Sequence, residues 1–220
     1  MGVTREAAAE NRQKILTAAE RLFREKGVDA VGLTELMKEA GFTQGGFYNH
    51  FKSKDALVSE VLGKAVEEGV QELSDAIVSS QAKGIDPLTR QINWYLSPEQ
   101  RDDIDCGCAM AGFAGDVPRL SKEAQSSYAD ALERTFEQLA EIIRLQKPNL
   151  SKKDAHGRAI ALYGQMVGSL LLSRAVSAGN PKLADEILKQ TRAGIFADLA
   201  RSVGDRERRG KQPGKTPRKA

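Results

Sequence analysis

Residues 33–57 read LTELMKEAGFTQGGFYNHFKSKDAL. Thr34 stands where a hydroxyl caps a helix by accepting from an orphan backbone N–H. Leu36, Met37 and Ala40 follow as a short apolar stripe, and Gly41 sits where a left-handed residue ends a helix without steric cost. Phe42 is apolar and anchors the turn, and Thr43 caps a second short helix running from about Gln44 to Phe51. Phe47 and Phe51 lie one turn apart and face the core. Gln44, Tyr48, Asn49 and His50, all hydrogen-bonding residues, are left for other faces. Two short helices joined by a glycine turn make a helix-turn-helix, a device that presents one helix end to the major groove of DNA.

Gly45 and Gly46 are costly for a helix, by about 1 kcal/mol each relative to Ala. Two readings account for them. One is fraying in the first turn of a short helix; the other is close approach of backbone to a phosphate or base edge. The surrounding motif favours the second.

GFTQGGFYNHFKSKDAL resembles the recognition-helix region of the tetracycline-repressor-like (TetR) transcriptional regulators. Gly41, Thr43, Gly45, Phe47, Tyr48, His50, Phe51, Lys52 and Lys54 match that family's pattern, as does the upstream NRQKILTAAERLFREKGVDAVGLTEL. The specific match covers about residues 10 to 60; the remainder matches in being helical and of suitable length. Gln44 departs from the Lys or Arg often found there, which replaces a charged contact with a neutral hydrogen bond. The resemblance implies DNA contact by Gln44, Gly45, Tyr48 and Asn49 at bases or groove, by Thr34, Thr43, His50, Lys52 and Lys54 at phosphates, and by Gly46 within the same DNA-binding set.

The chain has 220 residues, enough to bury a substantial core in one or two domains. Seven prolines punctuate long helical patterns, and no strand-like alternation persists. The expected fold is all-α: a three-helix helix-turn-helix head at 1–52, a larger ligand-binding and dimerisation domain at 53–204, and a disordered basic tail at 205–220, with about nine helices. No uninterrupted apolar run of about 18 residues occurs, and the N-terminus lacks a signal-peptide core, so no membrane span and cytoplasmic residence are expected. The net charge is +3, but the tail carries seven basic and two acidic residues, which leaves the body at −2. That tail reads either as a nonspecific DNA tether or as a solvated terminus. Gly214-Lys215-Thr216 imitates the end of a phosphate loop, but Gly210 is one residue too close and no strand precedes it.

Helix 6–26 carries Ile15, Ala19, Leu22 and Phe23 on one face. Ser53 caps a long helix with Leu57, Val61, Leu62, Val66, Val70, Leu73 and Ile77 at threes and fours. Asp86-Pro87 opens another, a break is expected at Ser97-Pro98, and a helix is expected from near Asp105 to before Pro118. Helices follow at about 121–145, 151–178 and 180–203. The last two carry small residues and apolar stripes that fit either the chain's own core or a partner helix. The family resemblance implies the latter, a homodimer through Gly164, Gly168, Leu171, Leu188, Ile195 and Leu199. It also implies an effector pocket for an unidentified, weakly charged apolar or aromatic molecule among Trp94, Tyr95, Cys106, Met110, Phe113, Tyr128, Phe136, Tyr163 and Met166.

Cys106 and Cys108 are the only cysteines, and His50 and His156 the only histidines, far apart. Residues two apart on a helix point about 200° from each other, which disfavours a shared metal or a disulfide. No metal and no cofactor are expected. No set of nucleophile, base and acid is evident, so an enzyme is not expected. The reading is a ligand-responsive DNA-binding repressor acting as a dimer on a palindromic operator. The alternative is a repressor that senses oxidants or electrophiles through Cys106 or Cys108.

Overall fold

The computed structural model describes residues 4–209, with side chains described to residue 200. Among the described residues all regular structure is helical. α1 spans Arg5–Lys26 and α2 Leu33–Glu39, and a 3-10 helix at Gln44–Asn49 completes the head. α3, Lys54–Ala82, is 29 residues and so about 43 Å long. Then come α4 (Pro87–Tyr95), α5 (Pro98–Asp102), α6 (Ala109–Phe113), a 3-10 turn at Val117–Arg119, α7 (Lys122–Gln146), α8 (Lys152–Ser177) and α9 (Pro181–Arg209).

The starts of these helices follow from their caps. Ser53, Asp86, Ser97, Ser121 and Ser151 each accept from the backbone N–H three residues on. Ser97-Pro98 therefore opens a helix where a break is expected, by the same cap-plus-proline device as Asp86-Pro87. The expected helix from Asp105 shrinks to α6, because residues 103–108 form a loop whose carbonyls bond side chains instead of the next turn. α9 continues past Val203 to Arg209; the rest of the basic tail, 210–220, lies outside the described residues.

One continuous core runs from head to body. Phe23, Leu36, Met37, Phe47, Leu57 and Leu62 are fully buried at the head end. α3 extends that core as a rod, packing on α1 at its start and along α7 beyond, and α7, α8 and α9 pack in series. Although it holds no uninterrupted apolar run, α8 has a mean hydropathy of 1.3 over its most apolar window, the composition of a membrane span. It is held instead between α7 and α9. Leu188 and Ile195, expected at a dimer interface, are only 2% and 4% exposed within the single chain. They close α9 onto α8, because a lone amphipathic helix must first bury its stripe against its own neighbour. Leu199 also packs against the core. The apolar face left outward is on α8, where Ile160, Leu171 and Leu172 are exposed beside Gly164 and the half-buried Gly168.

Asp86 illustrates how a cap couples to pH. Burial pushes its carboxyl up, but hydrogen bonds from Thr89, Gln146 and the backbone of Thr89 and Leu88 outweigh that and hold it below the ordinary range. A carboxyl depressed by folding stabilises above its unfolded pKa and loses that contribution as pH falls through the folded value. Asp86→Ala is expected to cost about 1 kcal/mol at neutral pH. The gap from the native chain should narrow well below pH ~4. Urea unfolding at both pH values checks this, and a gap independent of pH would count against it.

Candidate nucleic-acid interface and effector cavity

The turn between α2 and the 3-10 helix is closed by backbone. Phe42 N–H donates to the Met37 carbonyl at 2.7 Å and Gly41 N–H to Lys38 at 3.1 Å, with Gly41 at φ +85°. That pair of bonds is a Schellman ending, and the left-handed residue it needs is the glycine. α2 begins at Gly32–Leu33, and neither Thr34 nor Thr43 makes the expected side-chain cap. Instead the Thr34 hydroxyl donates to Gln44 Oε1 at 2.8 Å, linking the two helices on their solvent side.

The recognition element is a 3-10 helix that ends at Asn49 rather than an α-helix running to Phe51. Two glycines in its first turn weaken α-geometry, and the short tight form suits six residues. Phe47 is fully buried and stacks on Phe51 at 5.7 Å, so the element is pinned from beneath. Tyr48 meets Phe47 edge-on at 5.3 Å and is 67% exposed. Thr43, Gln44, Gly45, Asn49 and Lys52 are exposed beside it; Gly46 and His50 are half-buried. A Cβ on Gly45 would meet nothing within 4 Å, and Gly46 lies in ordinary contact with Met37. Neither glycine has a positive φ. Nothing inside the chain thus demands glycine at 45.

Lys54, expected at a phosphate, has a partner within the chain. Its ammonium donates to the Val28 carbonyl at 2.7 Å and lies 6.0 Å from the Phe23 ring, tying the start of α3 to the loop after α1. Arg12, not singled out from the sequence, lies over Phe51 at 4.6 Å and is paired with Glu60. It locks α1 to α3 behind the recognition element.

Behind the head a cavity of about 820 Å³ opens between α1, α3, α4 and the 103–110 segment. Trp94, Tyr95, Cys106, Met110 and Tyr163 line it. Phe113 and Met166 do not; they are fully buried core. Tyr128 is directed to the Met110 carbonyl at 2.6 Å, and burial pushes its hydroxyl up to about 12. Phe136 meets His156 and Tyr163 edge-on, and so supports the wall from behind. Burial pushes the Tyr95 and Tyr163 hydroxyls well above the ordinary range, so both stay protonated. The Tyr95 hydroxyl lies near Cys108 and Tyr163 without hydrogen-bond geometry to either.

No local sequence pattern signals how this wall is held. Arg24 of α1 donates to the Gly107 carbonyl and, at 2.7 Å, to Glu20. Arg174 of α8 donates to the carbonyls of Arg101, Gln100 and Asp103 at 2.9–3.0 Å. Burial lowers the Arg174 guanidinium somewhat, a cost that three carbonyl acceptors offset. The 103–108 loop is thus strung between one guanidinium from the head and one from the body. Cys106 is exposed on it, and its N–H donates to Asp103 Oδ1 at 3.0 Å. Cys108 is half-buried, its Sγ 3.4 Å from the Tyr163 hydroxyl. Both thiols are free, and no cluster of three or more metal-ligating side chains occurs among the described residues. Glu72 also faces the cavity; burial, with the like charge of Glu68, holds its carboxyl above the ordinary range.

Residues 15–61 match the family of bacterial regulatory proteins known as the tetR family. Over 58 residues the chain is 48% identical to the transcriptional regulator AcrR of Shigella flexneri, covering 26% of this chain and 27% of that one. The regulator TtgR of Pseudomonas putida is 28% identical over 176 residues, 75% of this chain and 80% of its own. The crystal structure of reduced E. coli NemR shares the fold at TM-score 0.68 and 21% identity, covering 84% and 96% of the two chains. With the helix-turn-helix head and the all-helical body described above, the chain is a TetR-like transcriptional regulator.

A Cβ at residue 107 would overlap the Asp103 carbonyl oxygen and approach Arg174 Nη2 to 2.9 Å. Gly107→Ala is therefore expected to destabilise the chain by about 1–3 kcal/mol through overpacking. Thermal unfolding measures it; an unchanged Tm would mean the loop is free to relax.

Proposed function

We propose that this chain is a repressor that binds a near-palindromic DNA operator as a homodimer and is released by a small-molecule effector in the cavity. The head (1–52) reads DNA, and the helices of 53–204 bind the effector and dimerise. The supporting observation is the polar row Gln44, Tyr48 and Asn49, exposed on an element pinned by Phe47 and Phe51. Rigid backing with hydrogen-bonding groups outward is what base readout requires. Gly45, with open space around it, suits close approach to a phosphate. Thr34, Thr43, His50 and Lys52 flank that row as phosphate contacts.

One such element binds weakly; two, a helical turn apart, give operator affinity. The outward face of α8, with Leu171 and Leu172 around Gly164 and Gly168, supplies a surface for the second copy. The effector cavity lies against α1, so filling it shifts the head relative to α3. A coupling of about 1–3 kcal/mol changes operator affinity roughly 5- to 150-fold.

A second reading rests on Cys106, exposed on the cavity loop. Oxidation or alkylation there would add bulk where an effector would sit. If it operates, Cys106→Ser abolishes release by an alkylating agent such as N-ethylmaleimide and leaves operator binding intact. Unaltered release in that variant removes the thiol reading.

The DNA reading is tested by Tyr48→Ala, expected to lose operator binding while sedimenting as the same dimer. Lys52→Ala should reduce the slope of log affinity against log salt by about 1 per protomer. Lys54→Ala should leave that slope unchanged and lower stability, because its ammonium holds the Val28 carbonyl. Reversal of the two lysine results would place the wrong one at the phosphate.

A further inference from the structure

The two short helices of the head are joined on their solvent side by one side-chain bond, from the Thr34 hydroxyl to Gln44 Oε1 at 2.8 Å. Both residues are exposed. Thr34 does not cap α2, whose N-cap is Gly32, so its hydroxyl is not spent on the helix start. A hydroxyl has one proton to give, and this one goes to the glutamine. Phosphate oxygens only accept, so while the bond stands Thr34 has no proton for the DNA backbone.

Gln44 is the first residue of the recognition element, and in a helix-turn-helix the opening residues of that element meet base edges. A free glutamine there reads poorly. Its long side chain samples many rotamers, all but one of which must be surrendered at binding. Its amide also presents a donor and an acceptor that exchange places on a half-turn, so one residue can answer opposite base edges. Fixing the oxygen removes both freedoms and leaves Nε2 as the free end. Thr34 is placed to do this. Its β-branched side chain has few rotamers in a helix. α2 is itself held against the second element by the Gly41 turn, where Phe42 N–H meets the Met37 carbonyl at 2.7 Å. Its neighbours turn the other way: Glu35 pairs with Lys26 and Glu39 with Arg21, both on α1.

We propose that Thr34 is a positioning residue for sequence readout, which touches no base itself but sets the Gln44 amide so that one base pair of each half-site is discriminated. The proposal rests on the head reading DNA through the row that contains Gln44. The phosphate role then falls to Thr43, His50 and Lys52.

The probe is the duplex that the native chain enriches from a random pool, together with the same duplex carrying each base pair in turn exchanged for the other three. Affinity ratios among these duplexes do not depend on the folded fraction of a preparation. Gln44→Ala locates the position, where a native discrimination of roughly 5- to 150-fold should collapse. Thr34→Val keeps the shape and removes the proton. It should lose most of the discrimination at that same position and keep the ratios elsewhere. Thr34→Ser, which keeps the hydroxyl, should restore it. In the Gln44→Ala background, Thr34→Val should alter no ratio. Equal weakening on every duplex in Thr34→Val, as loss of a phosphate contact gives, would overturn the proposal. So would unchanged discrimination in Thr34→Val, or a loss that Thr34→Ser shares. The reading of DNA by Gln44 fails separately: Gln44→Ala then leaves every ratio as in the native chain, and the proposal goes with it.

Discussion

Arg24 leaves the last turn of α1 and divides its donors between Glu20 on its own helix and the Gly107 carbonyl of the body, with its carbon 5.7 Å from the Phe113 ring. The side chain is only 5% exposed. A buried guanidinium is tolerable only while each partner holds its place, because an unmatched buried charge costs several kcal/mol. The head and the 103–108 loop are therefore bound to one arrangement. Arg174 imposes the same condition from α8. Displacement of the loop must disturb α1, α8 or both, and these are the helices that carry the DNA-reading head and the outward apolar face.

The other end of the molecule uses the opposite strategy. The recognition element has almost no interior of its own, and six residues of 3-10 helix have little intrinsic stability. Its order comes from Phe47 and Phe51 beneath, the Schellman turn before it, and the Thr34–Gln44 bridge across it. Tyr48 can stand exposed because everything under it is fixed. The element is thus ordered in the free chain, and in the proposed reading that spares an entropy cost when DNA binds.

Much of this was legible in the residues. Gly41, the Phe47–Phe51 pair and the polar residues between them specify the head, because short-range turn chemistry and helical periodicity act within a few positions. The caps at Ser53, Asp86 and Ser151 do the same for the long helices. Less was legible where two uses of one residue compete. Lys54 has the sequence position of a phosphate contact, and its ammonium also holds the Val28 carbonyl. Leu188 and Ile195 have the spacing of an interface, yet α8 covers them. Periodicity states that a face is apolar and is silent on what it meets.

The sequence by itself determined the helical class, the helix-turn-helix and which side chains could face a groove, since each of these follows from local propensity and spacing. Only the tertiary structure decided that Arg24 and Arg174 clamp the cysteine loop, that Glu72 and Asp105 face the cavity beside Trp94, and that four of the nine expected pocket residues lie off its wall. Those relations join positions tens of residues apart through backbone carbonyls and shared burial, and no local pattern encodes a meeting of that kind.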